Sequence, residues 1–217
     1  MRRLLHMLSA LVLVGCSTLG PPPEGARELL AVRDEAAGER RVGYVDIESE
    51  AFTGSFKSVL VSERGGPRVR LQLLPELGTK VLDLAAGPDG LQSVWAFGAG
   101  DGTARLERMV AISLLEGAAG LDFARVVAGA ERAAGGFVLE VAPVVPGVEV
   151  RVEVAADGRV VGRRFADGVV RWAERFEPEH AFVAPGFSWR VLDEERTPLE
   201  AVPAGLFEVR GADVRPW

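Results

Sequence analysis

The run Val148-Glu-Val-Arg-Val-Glu-Val154 constrains the fold more than any other feature of this chain. Val148, Val150, Val152 and Val154 share one face, while Glu149, Arg151 and Glu153 share the other. Period-two alternation is that of a strand with one face buried and the other in water. Asp157-Gly158 then supplies hairpin turn chemistry and leads into 160–165; Asp167-Gly168 repeats the signal before 169–176. Tight turns oblige antiparallel neighbours, because a parallel crossover needs a dozen or more residues. Earlier in the chain, Val69, Leu71 and Leu73 alternate with Arg68, Arg70 and Gln72. Leu82 and Leu84 follow the turn Pro75-Glu76-Leu77-Gly78, and Pro88-Asp89-Gly90 turns into a strand over 91–97. Phe137, Leu139 and Val141 mark a further strand.

The middle differs in kind. Apolar residues at three- and four-residue spacings predict two short helices, 106–115 and 121–127, separated by Gly117 and Gly120. A short helix ended by Gly38 is predicted over 26–38, after a Pro/Gly-rich tether from 17 to about 25. Residues 185–203 read as mostly irregular apart from a strand at 187–192, and 206–210 as a last strand. Strands, helices, then strands on short turns predict an α+β fold. Its form is a curved antiparallel sheet, an incomplete β-barrel with helices covering the open side.

The N-terminus carries Arg2 and Arg3, an apolar stretch from Leu4 to Val14, and then Gly15-Cys16. Leu13-Val-Gly-Cys16 resembles a bacterial lipobox. That resemblance implies cleavage before Cys16, acylation of Cys16 as the mature N-terminus, and, since Ser17 stands where an inner-membrane retention signal would place Asp, the periplasmic face of the outer membrane. The stretch is too short to span a bilayer as a helix. The expected division is a signal peptide at 1–15, a lipidated N-terminus, tether and short helix at 16–40, and a single domain at 41–217. Removing Arg2 and Arg3 leaves 23 basic against 31 acidic residues, a charge of −8. An acidic chain without a Lys/Arg cluster is a poor nucleic-acid binder. Cys16 is the one cysteine, and His6 leaves with the signal, so His180 is the sole histidine of the mature chain. Zinc sites of several His or Cys ligands are thereby excluded.

Arg68-Val-Arg-Leu-Gln-Leu-Leu-Pro-Glu-Leu-Gly-Thr-Lys-Val-Leu-Asp-Leu84 followed by Pro88-Asp-Gly90 resembles the LolB-like outer-membrane lipoproteins, as does Gly54-Ser-Phe-Lys-Ser-Val-Leu-Val-Ser62 before it. The resemblance implies a half-barrel of the LolA/LolB type whose apolar interior holds acyl chains or lipidated protein. It also implies help with lipoprotein insertion into the outer membrane, a soluble periplasmic carrier as partner, and a membrane- or cargo-transfer role for Leu77. A turn leucine packed back on the core is the plainer expectation for Leu77. The segment Pro185-Gly-Phe-Ser-Trp-Arg-Val-Leu-Asp-Glu-Glu195 matches no motif of that family.

Catalytic readings are weak throughout. Glu177-Pro-Glu-His180 places two carboxylates near an imidazole but reads as an exposed acidic loop, and Asp193-Glu-Glu195 as a solvated charged turn. Gly98-x-Gly-x-Gly102 lacks the strand-to-helix setting of a phosphate loop, and Ser188 lacks the second glycine of a nucleophile elbow. No enzyme, metal or cofactor is expected. Trp95, Trp172, Trp189 and Trp217 with the alternating valines line either an apolar cavity or a filled core, for both need the same alternation. A filled core would make the chain a structural or envelope-complex lipoprotein instead.

Overall fold

The computed structural model describes residues 19–30, 36–49, 53–64, 66–76, 80–96, 101–168 and 170–217. Cys16 and Leu77 lie outside them. After α1 (Glu24–Leu29) come β1 (Gly38–Ser49), β2 (Thr53–Glu63), β3 (Arg68–Leu74), β4 (Leu82–Gly87) and β5 (Gly90–Trp95). The long helix α2 (Asp101–Ala119) follows. The chain returns through β6 (Val126–Glu131), β7 (Phe137–Val141), β8 (Glu149–Val154), β9 (Val160–Asp167), β10 (Val170–Arg175), β11 (Ala181–Ala184) and β12 (Phe187–Leu199). All twelve form one sheet in the order β5-β4-β3-β2-β1-β12-β11-β10-β9-β8-β7-β6, antiparallel at every pairing. The sheet is curved and unclosed, so the α+β incomplete barrel expected from the sequence is the fold observed.

Alternation drives this architecture. Val150, Val152 and Val154 of β8 and Val69, Leu71 and Leu73 of β3 are all buried on one face of the sheet. α2, about 28 Å long at 1.5 Å per residue, connects β5 to β6 in the chain. Its stripe Met109, Ile112, Leu115 and Ala118 is buried and packs chiefly on β3 and β4. The far half of the sheet is tied to it by polar contacts. Trp172 Nε1 donates to Ser113 Oγ (2.9 Å), and Arg108 pairs with Asp167 (3.1 Å).

Both outer strands are covered by the termini. Gly20 exchanges two backbone hydrogen bonds with Gly129 of β6, and Arg215 does the same with Leu91 of β5. An edge strand with unpaired amides invites pairing with another chain, and these contacts blunt both edges. Among the described residues no helix is long and apolar enough to cross a membrane.

Several local expectations differ. One helix replaces the two predicted, and 121–127 holds a single 3-10 turn (Phe123–Arg125) leading into β6. Gly120 at φ +67° ends α2 in the left-handed conformation. The Asp122 side chain then accepts from Ala124 N, and β-branched Val126 and Val127 carry the chain into a strand. α1 ends at Leu29, and Gly38 opens β1 instead of closing a helix. From Gly20 onward the expected tether lies against the body. Segment 185–203 contains the longest strand, β12, whereas 204–207 forms a 3-10 turn where a last strand was predicted.

Candidate functional site

Between α2 and the concave face of the sheet lies a cavity of about 230 Å³. A single water needs about 10–15 Å³, so this is a ligand-scale space and not a hydration site. The sheet face of the cavity is apolar at Val45, Leu60, Leu71, Leu73, Trp189 and Val191. The same face is polar at Ser58 and Ser62 and, on the neighbouring strands, at Arg163, Glu174 and His180, with Arg41, Glu194 and Arg196 alongside, which corrects the expectation of a wholly apolar interior.

The polar wall follows from strand register. Arg163 of β9 stands directly opposite Glu174 of β10, one step along from the inward pair Phe165 and Trp172, whose rings stack at 5.2 Å. Arg163 Nη1 donates to Glu174 Oε2 (3.0 Å), and His180 Nε2 hydrogen-bonds Glu174 Oε1 (2.9 Å). The Arg163 guanidinium lies over the Phe176 ring at 4.9 Å, and the Phe176 and His180 rings meet at 4.9 Å. Gly117 of α2 faces the Arg163 guanidinium across the cavity, where a Cβ would meet Nη1 at 3.4 Å, an ordinary contact distance. Burial pushes the Glu174 carboxyl up, but the His180 hydrogen bond and the Arg163 charge outweigh it and hold the group below its ordinary value.

A second charged cluster lies on β3 and β4. Asp83 accepts from Arg70 Nε and Nη2 (both 2.8 Å), Lys80 Nζ (2.8 Å) and Gln72 Nε2 (3.1 Å). Burial raises its carboxyl, and the Arg70 and Lys80 hydrogen bonds override that, so it too is held low. A larger hollow of about 580 Å³ beside it is lined from the C-terminal segment by Gly205, Glu208, Val209 and Arg210. Arg70 also donates to Leu206 O (2.9 Å) and Gln92 accepts from Val209 N (2.9 Å). These groups satisfy one another and seat the C-terminal segment, so the smaller concave cavity is the better candidate site.

Both depressed carboxylates predict one pH response. A carboxyl lowered on folding contributes stability that is complete above its unfolded value, near pH 4–4.5, and is lost as pH falls through the folded value. Thermal melts should be flat above about pH 5 and fall steeply in more acid solution. Glu174→Gln should lower the plateau and flatten the acid limb. An unchanged acid limb in that variant would show that Glu174 does not titrate with folding.

The sequence candidates fare unevenly. Glu177 and Glu179 are exposed and pair with Arg159 and Arg190, not with His180. The imidazole instead faces Glu174, and it is part-buried where an exposed loop was expected. Asp193, Glu194 and Glu195 lie within β12 opposite β1, not in a turn. Ser188 sits between the buried Phe187 and Trp189 of β12 and therefore points to the other face from the cavity. It forms no dyad with His180, which lines the cavity. Residues 97–100 of the glycine-rich stretch lie outside the described residues, and Asp101 and Gly102 open α2. Of the four tryptophans, Trp189 lines the cavity, Trp172 is stacked beside it, Trp95 is partly buried against the core, and Trp217 donates to Gly87 O (2.8 Å). Arg163 and Glu174 were missed. Their signal was present, because each alternates with aromatic residues (Arg163 with Phe165; Glu174 with Trp172 and Phe176) and so shares the buried face. Among the described residues no group of three or more His, Cys, Asp or Glu is arranged to hold a metal ion.

No protein-family model and no curated protein sequence matches the chain. Solved structures do resemble it. A DUF1329 family protein from Desulfovibrio piger superposes with TM-score 0.58 at 11% identity, covering 87% of this chain and 98% of its own. A domain named for outer membrane lipoprotein sorting, from Vibrio parahaemolyticus, gives 0.56 at 13% over 84% and 94%. A LolA superfamily protein from Nitrosomonas europaea gives 0.55 at 12% over 85% and 96%. At these identities the likeness is one of fold: the open, curved antiparallel barrel closed on one side by helix.

Proposed function

We propose that this chain is a lipid-anchored periplasmic lipoprotein of the outer membrane that holds acyl chains, free or on a lipidated protein, between α2 and the concave sheet. The observation that carries the reading is the cavity of about 230 Å³ with Val45, Leu60, Leu71, Leu73, Trp189 and Val191 as its apolar lining. Each methylene removed from water there contributes about 0.8 kcal/mol, so shape and apolar area suffice and no reaction is required. The fold shared with a lipoprotein-sorting domain and a LolA superfamily protein supports lipidated cargo, delivered by a soluble periplasmic carrier and passed to the membrane. In this reading residues 1–15 are the signal, Cys16 carries the anchor, 16–40 join it to the body at 41–217, and Leu77 contacts membrane or cargo. Because Gly20 already pairs with Gly129, the anchor would hold the body close to the bilayer.

The test uses the mature chain with Cys16→Ser. Native mass spectrometry should show co-purifying lipid, and cis-parinaric acid should gain fluorescence on addition. Leu114→Trp, which puts an indole into the cavity from α2, should weaken uptake at least about tenfold with the far-UV spectrum unchanged. A clean apo mass together with no uptake of the probe would reject the reading.

A further inference from the structure

Two buried hydrogen-bonding atoms at the cavity wall find no partner among the described residues: Trp189 Nε1 and His180 Nδ1. Such orphans are rare in folded proteins, and each asks for an explanation. These two are neighbours. Phe182 of β11 stands opposite Trp189 of β12, and Val191 N donates to His180 O (2.8 Å), which sets His180 opposite Val191. Trp189 and His180 are therefore diagonal residues on the same face of adjacent strands, about 7–8 Å apart at the backbone and within reach of one ligand group.

Their hydrogen-bonding characters differ. An indole N–H only donates. The imidazole places Nε2 against Glu174, an acceptor when ionised, so Nε2 carries the hydrogen and Nδ1 presents a lone pair. Arg163 already supplies the counter-charge to Glu174 at 3.0 Å, and a neutral imidazole leaves the trio without net charge. The wall thus offers one donor and one acceptor side by side, both uncharged, next to the apolar surface of Val191 and Leu60.

We infer that this pair is a subsite for a secondary amide: the ligand C=O accepts from Trp189 Nε1, its N–H donates to His180 Nδ1, and the attached acyl chain follows the apolar wall. The inference rests on the acyl-chain reading and narrows it to N-acyl ligands over free fatty acids and esters. An ester carries no donor and leaves Nδ1 unpaired. A carboxylate carries none either and sets a negative charge against that lone pair. A hydroxyl joins both functions in one atom, whereas an amide spreads them over separate atoms, which suits partners on diagonal positions.

The experiment displaces cis-parinaric acid from the mature Cys16→Ser chain with N-methyl lauramide, methyl laurate and laurate, which share one chain length. The amide should bind about three- to tenfold more tightly than the ester, the gain of one neutral hydrogen bond, and laurate should bind no better than the ester. His180→Phe should erase the difference between amide and ester. Trp189→Phe, with the ring retained and the N–H lost, should weaken both to a similar degree. Equal binding of amide and ester by the unsubstituted chain, or tightest binding of laurate, overturns the inference and leaves acyl-chain binding intact. Failure of all three ligands and of the probe overturns both.

Discussion

Glu174→Ala should destabilise the protein by about 3 kcal/mol at neutral pH. Removing one partner of a buried ion pair costs about 3–5 kcal/mol, because the remaining charge stays desolvated without compensation. The Arg163 side chain is 12% exposed and Glu174 7%, so both ions meet that description. The lower end of the range applies because Arg163 keeps 12% of its side chain exposed to water. For a chain of this length the loss corresponds to a fall in Tm of about 6–12 °C. Urea denaturation of the variant and of Arg163→Met/Glu174→Leu separates the pair from its geometry. The double variant removes both charges and fills the space with apolar atoms, so its expected cost is about 1 kcal/mol, left by the His180 Nε2 that has lost its acceptor. A single variant within about 1 kcal/mol of the parent would show that water, not Glu174, compensates Arg163.

That pair also marks the limit of what the sequence makes legible. Hairpins with local turn chemistry are readable: Asp157-Gly158 joins β8 to β9, and Asp167-Gly168 joins β9 to β10, because alternation and turn lie within a few residues of each other. The second half of β12 is not, because from Asp193 to Pro198 it has no apolar alternation, although the strand predicted at 187–192 is the first half of β12. That second half is a strand through pairing with β1, whose Gly38 meets Leu199 across almost the whole sequence. Long-range pairing overrides local propensity there. The helix predicted over 121–127 fails for the opposite reason: three-residue spacing among Leu121, Ala124 and Val127 is outvoted by the turn at Gly120 and the β-branched pair that follows.

The candidate site shows the same division. That an inward face exists, and that Trp189 belongs to it, follows from period two. Which charged groups meet on that face depends on register. His180 has Glu177 and Glu179 for sequence neighbours, yet the turn into β11 carries it back against Glu174 of β10. Orphaned Nδ1 and Nε1 atoms are visible only once every other partner has been placed.

Gly90→Ala should release the C-terminal segment, at a cost of about 3 kcal/mol. Gly90 opens β5 with φ +145°, a conformation that L side chains rarely adopt, and a Cβ there would stand 2.2 Å from Arg215 O and 2.9 Å from the Arg215 carbonyl carbon. Backbone cannot yield as a flexible side-chain tip can, so the segment has to leave. With it go the two hydrogen bonds between Leu91 and Arg215 (2.9 and 2.8 Å) and the Arg215–Glu107 ion pair (2.6 Å). Glu107, with its side chain 6% exposed, would keep a buried charge without its cation. The outer edge of β5 would also be bared, so the variant should self-associate at concentrations where the parent stays monodisperse. Limited trypsinolysis after Arg210 reads the release directly, and light scattering reads the association. Gly66→Ala, where a methyl meets nothing within 4 Å, should stay within about 0.5 kcal/mol. Truncation after Arg210 completes a cycle. In the shortened chain Gly90→Ala should cost only the backbone strain, about 1 kcal/mol. An equal cost in the full and shortened chains would place the whole effect in the β4–β5 turn and none in the strap.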